Sequence, residues 1–178
     1  PSQGFPRQKR RRPNTEERKV KRVKPHYVWM APPCRVWSTI QRLNCDTPEK
    51  MKNLMHQRDV EENSHLMMVK ETSDICDDVN SGFAVEQPHH AASWDTKALN
   101  SIDNCYDAVC NRCQTGLCYY DKQGNYVGKV KKPTRLRTND DETYEALNLP
   151  CTCSSYDHVN MDGKSRSLKK MQRLSILY

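Results

Sequence analysis

No run of about eighteen apolar residues occurs in the chain, so no segment is expected to cross a bilayer as a helix. Apolar residues of every kind make up 35% of the 178, and only two are phenylalanine. A core drawn from so little is thin and needs reinforcement. No glycine-rich phosphate loop is present, and none of His26, His56, His65, His89, His90 and His158 lies in a recognisable nucleophile motif, so catalysis is not expected. The adjacent acids Asp140, Asp141 and Glu142 read as a solvated turn rather than a metal site, and the expectation is no metal and no cofactor. There is no N-x-Ser/Thr sequon with a permitted middle residue, so the usual glycan marker of secretion is missing. The chain starts at Pro1 with no apolar stretch nearby, as expected of a mature form that has lost a signal peptide or of a trimmed chain.

What the chain has in excess is cysteine, nine in all, with two clusters: CQTGLC from Cys113 to Cys118, and CTC from Cys151 to Cys153. Three kinds of chemistry compete for them. As a disulfide frame, four cysteines admit three connectivities, two of which join the clusters and would staple neighbouring strands of a small secreted β-domain. As a zinc site, CNRC from Cys110 to Cys113 has the two-residue spacing that lets both thiolates reach one ion, but no second CxxC accompanies it and CTC has a single intervening residue. As a redox pair, CNRC would need a strand-to-helix context that the sequence does not offer. The frame is the preferred reading. Cys34, Cys45, Cys76, Cys105 and Cys110 are then surplus, and an odd total leaves one thiol for a bridge between chains.

Charge is unevenly distributed. Residues 1–24 hold ten Lys or Arg against Glu16 and Glu17, a balance of +8, so the rest of a chain of net charge +7 sums to −1. This segment reads as a disordered basic arm. Arg7, Lys9, Arg10, Arg11 and Arg12 are its candidates for binding a polyanion, glycosaminoglycan or nucleic acid, with a solvated tail and a protease-processing site as the other readings. From Pro25 to Pro33, PHYVWMAPP suits an extended edge strand. Asp46 and Thr47 before Pro48 predict a helix over 48–58, with Met51, Leu54 and Met55 on its inner face. Residues 70–93, rich in Asp, Ser and Asn, read as mostly loop, which also accounts for His89 and His90. YYDKQGNYVGKV predicts a β-hairpin turning at Asp121–Asn125. Leu136 to Leu149 leads into Cys151, with a helical turn over 142–147 as an alternative, and residues 165–178 suit a basic amphipathic helix.

Trp94, Cys105, AVCNRCQTGLCYYDKQGNY and LNLPCTC together resemble the conserved region of the interleukin-17 cytokines: a tryptophan near the domain start, two cysteines four residues apart before a Gly-Asn turn, and a terminal C-x-C. The resemblance covers about 65 residues, from Ala92 to Tyr156. It implies a mainly β, cystine-knot-like fold with bridges Cys113–Cys151 and Cys118–Cys153, the first closing a loop worth ~4 kcal/mol by chain entropy. It further implies a secreted, extracellular homodimer that signals through a single-pass cell-surface receptor built of fibronectin-type modules, and the odd cysteine offers a disulfide link between its chains. The organisation expected is a basic arm (1–24), an extension with a strand, a short helix and a loop (25–93), a cytokine core (94–160) and a basic tail (161–178). Trp29, Trp94 and Tyr126, with Arg135 and Arg137 sharing one strand face, are the candidate receptor contacts. Neurotrophin-like and other cystine-knot growth factors or hormones are rivals of the same class. An intracellular zinc- and nucleic-acid-binding protein is the rival of a different class.

Overall fold

The computed structural model describes residues 15–154 and 157–159. Six helices are labelled in chain order: α1 (Thr15–Val23), α2 (Ile40–Leu43), α3 (Pro48–Glu61), α4 (Met67–Asp78), α5 (Lys97–Asn100) and α6 (Asp141–Leu147). The six strands are β1 (Tyr27–Met30), β2 (Gly82–Pro88), β3 (Tyr106–Asn111), β4 (Cys118–Tyr120), β5 (Tyr126–Lys129) and β6 (Pro133–Thr138). Helix exceeds strand, about 43% against 22%. The expected antiparallel pairs are present, but the architecture is a mixed α/β one rather than a mainly β frame.

Four strands form one sheet in the order β1-β2-β6-β3, with β1 parallel to β2 and the other pairs antiparallel. The extension and the expected core thus share a sheet, and the division at residue 94 falls within one hydrogen-bonded unit. Alternation along the strands gives the sheet two covered faces. Phe83 and Val85 pack with Leu66, Val69, Cys76, Trp94 and Leu99 in the main core. Leu136, Ala108 and Cys110 form a smaller cluster against Tyr144, Leu147 and Leu149.

The helix predicted over 48–58 is α3. Thr47 caps it by accepting from the Lys50 amide at 3.3 Å, and Pro48 occupies the first turn, where no amide donor is needed. Only Leu54 and Arg58 are buried on α3, and Met55 faces solvent, so the methionine stripe is not an inner face. A π-helical turn, Glu62–Leu66, carries the rod into α4. The loop expected over 70–93 is instead α4 and β2. Small polar residues conceal the period there: Val69, Thr72, Ser73, Ile75 and Cys76 are the buried residues of α4, and Thr and Ser supply two of the five. In β2, Phe83, Ala84 and Val85 are all buried because neighbours cover both faces. Within the expected disordered arm, residues 15–23 form α1. The arm's candidates Arg7, Lys9, Arg10, Arg11 and Arg12, and the helix expected over 165–178, lie outside the described residues. Among the described residues no helix is long and apolar enough to cross a membrane.

Candidate metal centre

The β4–β5 hairpin forms where predicted. Asp121 accepts from the Asn125 side-chain amide at 3.0 Å and from the backbone amides of Asn125 and Gln123, both at 2.9 Å, and these bonds hold its carboxyl below the usual range. On the way into the hairpin the chain leaves β3 through a 3₁₀ turn, Arg112–Thr115, that ends at Gly116 with φ +82°, a left-handed conformation suited to glycine. That turn presents Cys113. The segment bearing the second cluster is tied alongside by two bonds from Asn111, backbone and side chain, to the Leu149 carbonyl at 3.0 and 3.3 Å. Residues 151–153 are in no regular element, so the two thiols of CTC are not bound to a strand's geometry.

The chain then returns. Asp157 accepts from the Ser154 amide at 3.0 Å and its own amide donates to the Ser154 carbonyl at 3.2 Å. The Val159 amide donates to the Lys129 carbonyl at 2.9 Å, setting His158 in a parallel bridge beside β5. Gly128 makes this approach possible, because a Cβ there would lie 2.8 Å from Val159 Cγ2 and 3.2 Å from the Asp157 carbonyl.

The result is a four-ligand group: Cys113, Cys151, Cys153 and His158, whose ligand atoms all lie within 4.8 Å of one another. Cys113 Sγ and Cys151 Sγ are 3.5 Å apart, and Cys151 Sγ and His158 Nε2 are also 3.5 Å apart. Tetrahedral zinc with ordinary bond lengths sets two thiolate sulfurs about 3.8 Å apart and sulfur and imidazole nitrogen about 3.6 Å apart. A disulfide needs its sulfurs at about 2.05 Å. Three soft thiolates with one imidazole suit zinc, and no carboxylate among them favours calcium or magnesium.

Donors also converge on the sulfurs. The Gln114 amide donates to Cys153 Sγ at 3.2 Å and to Cys113 Sγ at 3.8 Å, and its carbonyl accepts from Thr152 at 3.2 Å. The Lys129 ammonium lies 3.5 Å from Cys153 Sγ, which pushes the lysine up. Burial and the adjacent Cys151 thiol push Cys113 up. At Cys151 desolvation opposes ionisation, but the Cys153 amide and the Cys113 thiol outweigh it and push the group down. Such donors favour thiolates and would offset the net negative charge of a zinc held by three of them.

All nine cysteines are free thiols. Of the expected bridges, Cys113–Cys151 is approached without being bonded, while Cys118 lies outside the four-ligand group. CNRC does not act as a pair, since Cys110 is buried in the smaller core cluster and only Cys113 joins the group. Burial pushes the Cys76 and Cys105 thiols up to about 11, as suits inert packing groups. Cys34 is exposed and Cys45 half-buried, and neither is bridged.

Of the candidate receptor contacts, Trp29 and Tyr126 are 50% and 56% exposed. Trp94 is not available to a partner: it is buried, donates to the Pro88 carbonyl at 3.0 Å and lies under the Arg135 guanidinium at 4.6 Å. Arg135 and Arg137 do share a face, as predicted, but both are engaged by Asp107, and Arg137 also donates to the Leu99 carbonyl at 2.6 Å. Sequence reasoning missed His158 as a candidate ligand; its signal is the C-x-C-x₄-H spacing from Cys151 to His158. Compared with known proteins, the chain matches no family model, no curated protein and no solved structure.

Proposed function

We propose that the chain is a zinc-dependent nucleic-acid-binding protein of the intracellular class, acting by binding rather than by catalysis. The observation that carries this reading is the grouping of Cys113, Cys151, Cys153 and His158 within 4.8 Å of one another, with the Cys113–Cys151 and Cys151–His158 separations close to the edges of a zinc tetrahedron. An ion there would join the hairpin to the segment after α6, which has little apolar surface of its own with which to hold the two together. The polyanion part of the reading rests on charge: a net +7, concentrated in the arm before α1 and again around the hairpin.

A second reading uses the same thiols. The 3.5 Å approach of Cys113 to Cys151 also favours an oxidised pair, and with it the secreted, dimeric, interleukin-17-like ligand with a Cys118–Cys153 bridge. Cys118 separates the two, since the bridge needs it and the metal group does not. Full-length protein purified with zinc and desalted is expected to hold about one zinc per chain, with nine reactive thiols after denaturation in chelator. Cys118→Ser is expected to keep the metal, and Cys153→Ser and His158→Ala to lose it. Blocked thiols and no zinc in unreduced protein would transfer the case to the cytokine-like reading.

A further inference from the structure

The face of the β4–β5 hairpin that leads to the metal group is built from residues that the zinc does not use. Cross-strand partners share a face, and the register pairs Cys118 with Lys129 and Tyr120 with Tyr126, with a bulge after Tyr119. Lys129 reaches Cys153, so Tyr120 and Tyr126 stand on the same side as the thiol cluster. The opposite side carries Tyr119 and Gly128, and Val159 covers it. Tyr120 and Tyr126 are 55% and 56% exposed, with ring centroids 5.9 Å apart and planes at 74°. Two large rings carried on a strand pair and left more than half in water contribute little to the fold.

The segment that carries these rings is rich in positive charge, although Arg112 faces Glu86 at 3.9 Å and Asp157 lies near Lys129. Between residues 112 and 132 there are five basic side chains, Arg112, Lys122, Lys129, Lys131 and Lys132, against the single acid Asp121. Asp121 is turned into its own loop, where Asn125 and two backbone amides occupy its oxygens. Exposed aromatic faces on a basic segment match one ligand chemistry well: a flexible phosphate backbone whose bases are free to stack. Duplex nucleic acid keeps its base faces covered and offers these rings nothing.

We infer that this hairpin face is a stacking platform for single-stranded nucleic acid, Tyr120 and Tyr126 taking bases while Lys131 and Lys132 neutralise phosphates. The inference rests on the nucleic-acid-binding reading above and adds to it the strand state of the ligand and the surface that holds it. The 2′-hydroxyl plays no part in stacking or phosphate contact, so DNA and RNA strands are expected to bind alike.

The test uses the zinc-loaded full chain with fluorescein-labelled dT and U 12-mers and a 12-base-pair duplex. Tyr120→Ala and Tyr126→Ala are each expected to weaken single-strand binding by about 5- to 150-fold, with Tyr126→Phe retaining it and the zinc content of every variant unchanged. Lys131→Ala and Lys132→Ala are each expected to reduce the slope of log affinity against log salt by about 0.7. Two results overturn the inference but leave the nucleic-acid reading standing: duplex bound as tightly as single strand, or unchanged affinity in both tyrosine variants. A chain that holds zinc yet binds none of the three probes overturns both.

Discussion

The sheet-centred part of the molecule and its cysteine-rich lobe are stabilised in different ways. Around β2, the side chains of Phe83, Val85, Leu66 and Leu99 are completely removed from water, and Trp94 closes the cluster. Burial on that scale is worth about 1.5–3 kcal/mol for each large side chain and makes a self-supporting unit. In the lobe, residues 112–130 and 149–159, the buried hydrophobic side chains among the described residues are Cys113 and Val130. Two short strands with so little apolar cover are at best marginal in water. The comparison teaches that a low apolar content can be concentrated in one region, leaving another with little burial to hold it, which is where the proposed zinc would act.

The largest effects should come from attacking each region by its own means. Phe83→Ala is expected to cost about 3–5 kcal/mol, because a ring with no exposure leaves a cavity between the sheet and α4. Its zinc content at low temperature should remain that of the wild type. Removing zinc with a chelator should do the reverse. Amide hydrogen exchange in residues 118–129 should accelerate to near the rate of an open chain, while residues 83–88 stay protected. Simultaneous loss of protection in both regions on chelation would show that the lobe is not a separate cooperative unit.

Between these regions runs the strand pair β3–β6, and its charged cluster gives a smaller, pH-dependent effect. Partial burial pushes the Asp107 carboxyl up, but hydrogen bonds from Arg137 and Arg135 outweigh burial and hold it below its ordinary value. A carboxyl depressed on folding contributes stability that is fully present above its unfolded pKa, about 3.9, and is lost as pH falls through the folded value. Asp107→Asn is therefore expected to destabilise the protein at neutral pH by about 1–2 kcal/mol, a figure discounted because the Asp107 side chain is 35% exposed. In urea titrations the gap between variant and wild type should narrow below about pH 4. A gap of constant size across that range would mean that the two arginines do not depend on the carboxylate.

How much of this was legible depended on how directly each residue announces its role. Thr47 and Pro48 mark the start of α3, Asp121 and Gly124 mark the hairpin, and Leu136 between two arginines marks β6, because caps, turns and alternation are local signals. The buried face of α4 was hidden by Thr72 and Ser73, whose packing depends on a partner surface that composition does not reveal. The candidate metal group was hidden for another reason. Its four ligands come from a turn after β3, an irregular CTC and a returning strand-like segment, 45 residues apart at the extremes. CNRC drew attention to Cys110, whose thiol the smaller core cluster takes up. A spacing rule assumes that ligands close in sequence share a partner; here the pairing of β3 with β6 and the Asn111–Leu149 bonds decide which thiols meet.

Gly128 offers the finest test of the contrast, because it acts on the lobe without touching a ligand or the main core. An added Cβ would stand 2.8 Å from Val159 Cγ2, which can rotate, and 3.2 Å from the Asp157 carbonyl, which belongs to the backbone that delivers His158. Part of the crowding can therefore be relieved by Val159, and the remainder must displace residues 157–159 from β5. Overpacking of this kind costs about 1 kcal/mol at the low end, equivalent to roughly fivefold in zinc affinity. Competition between Gly128→Ala and a chromophoric chelator should register that loss, while the urea midpoint of the sheet region stays at its wild-type value. Unchanged zinc affinity would mean that His158 reaches the metal without the β5 bridge, and that the lobe is held by its three thiolates alone.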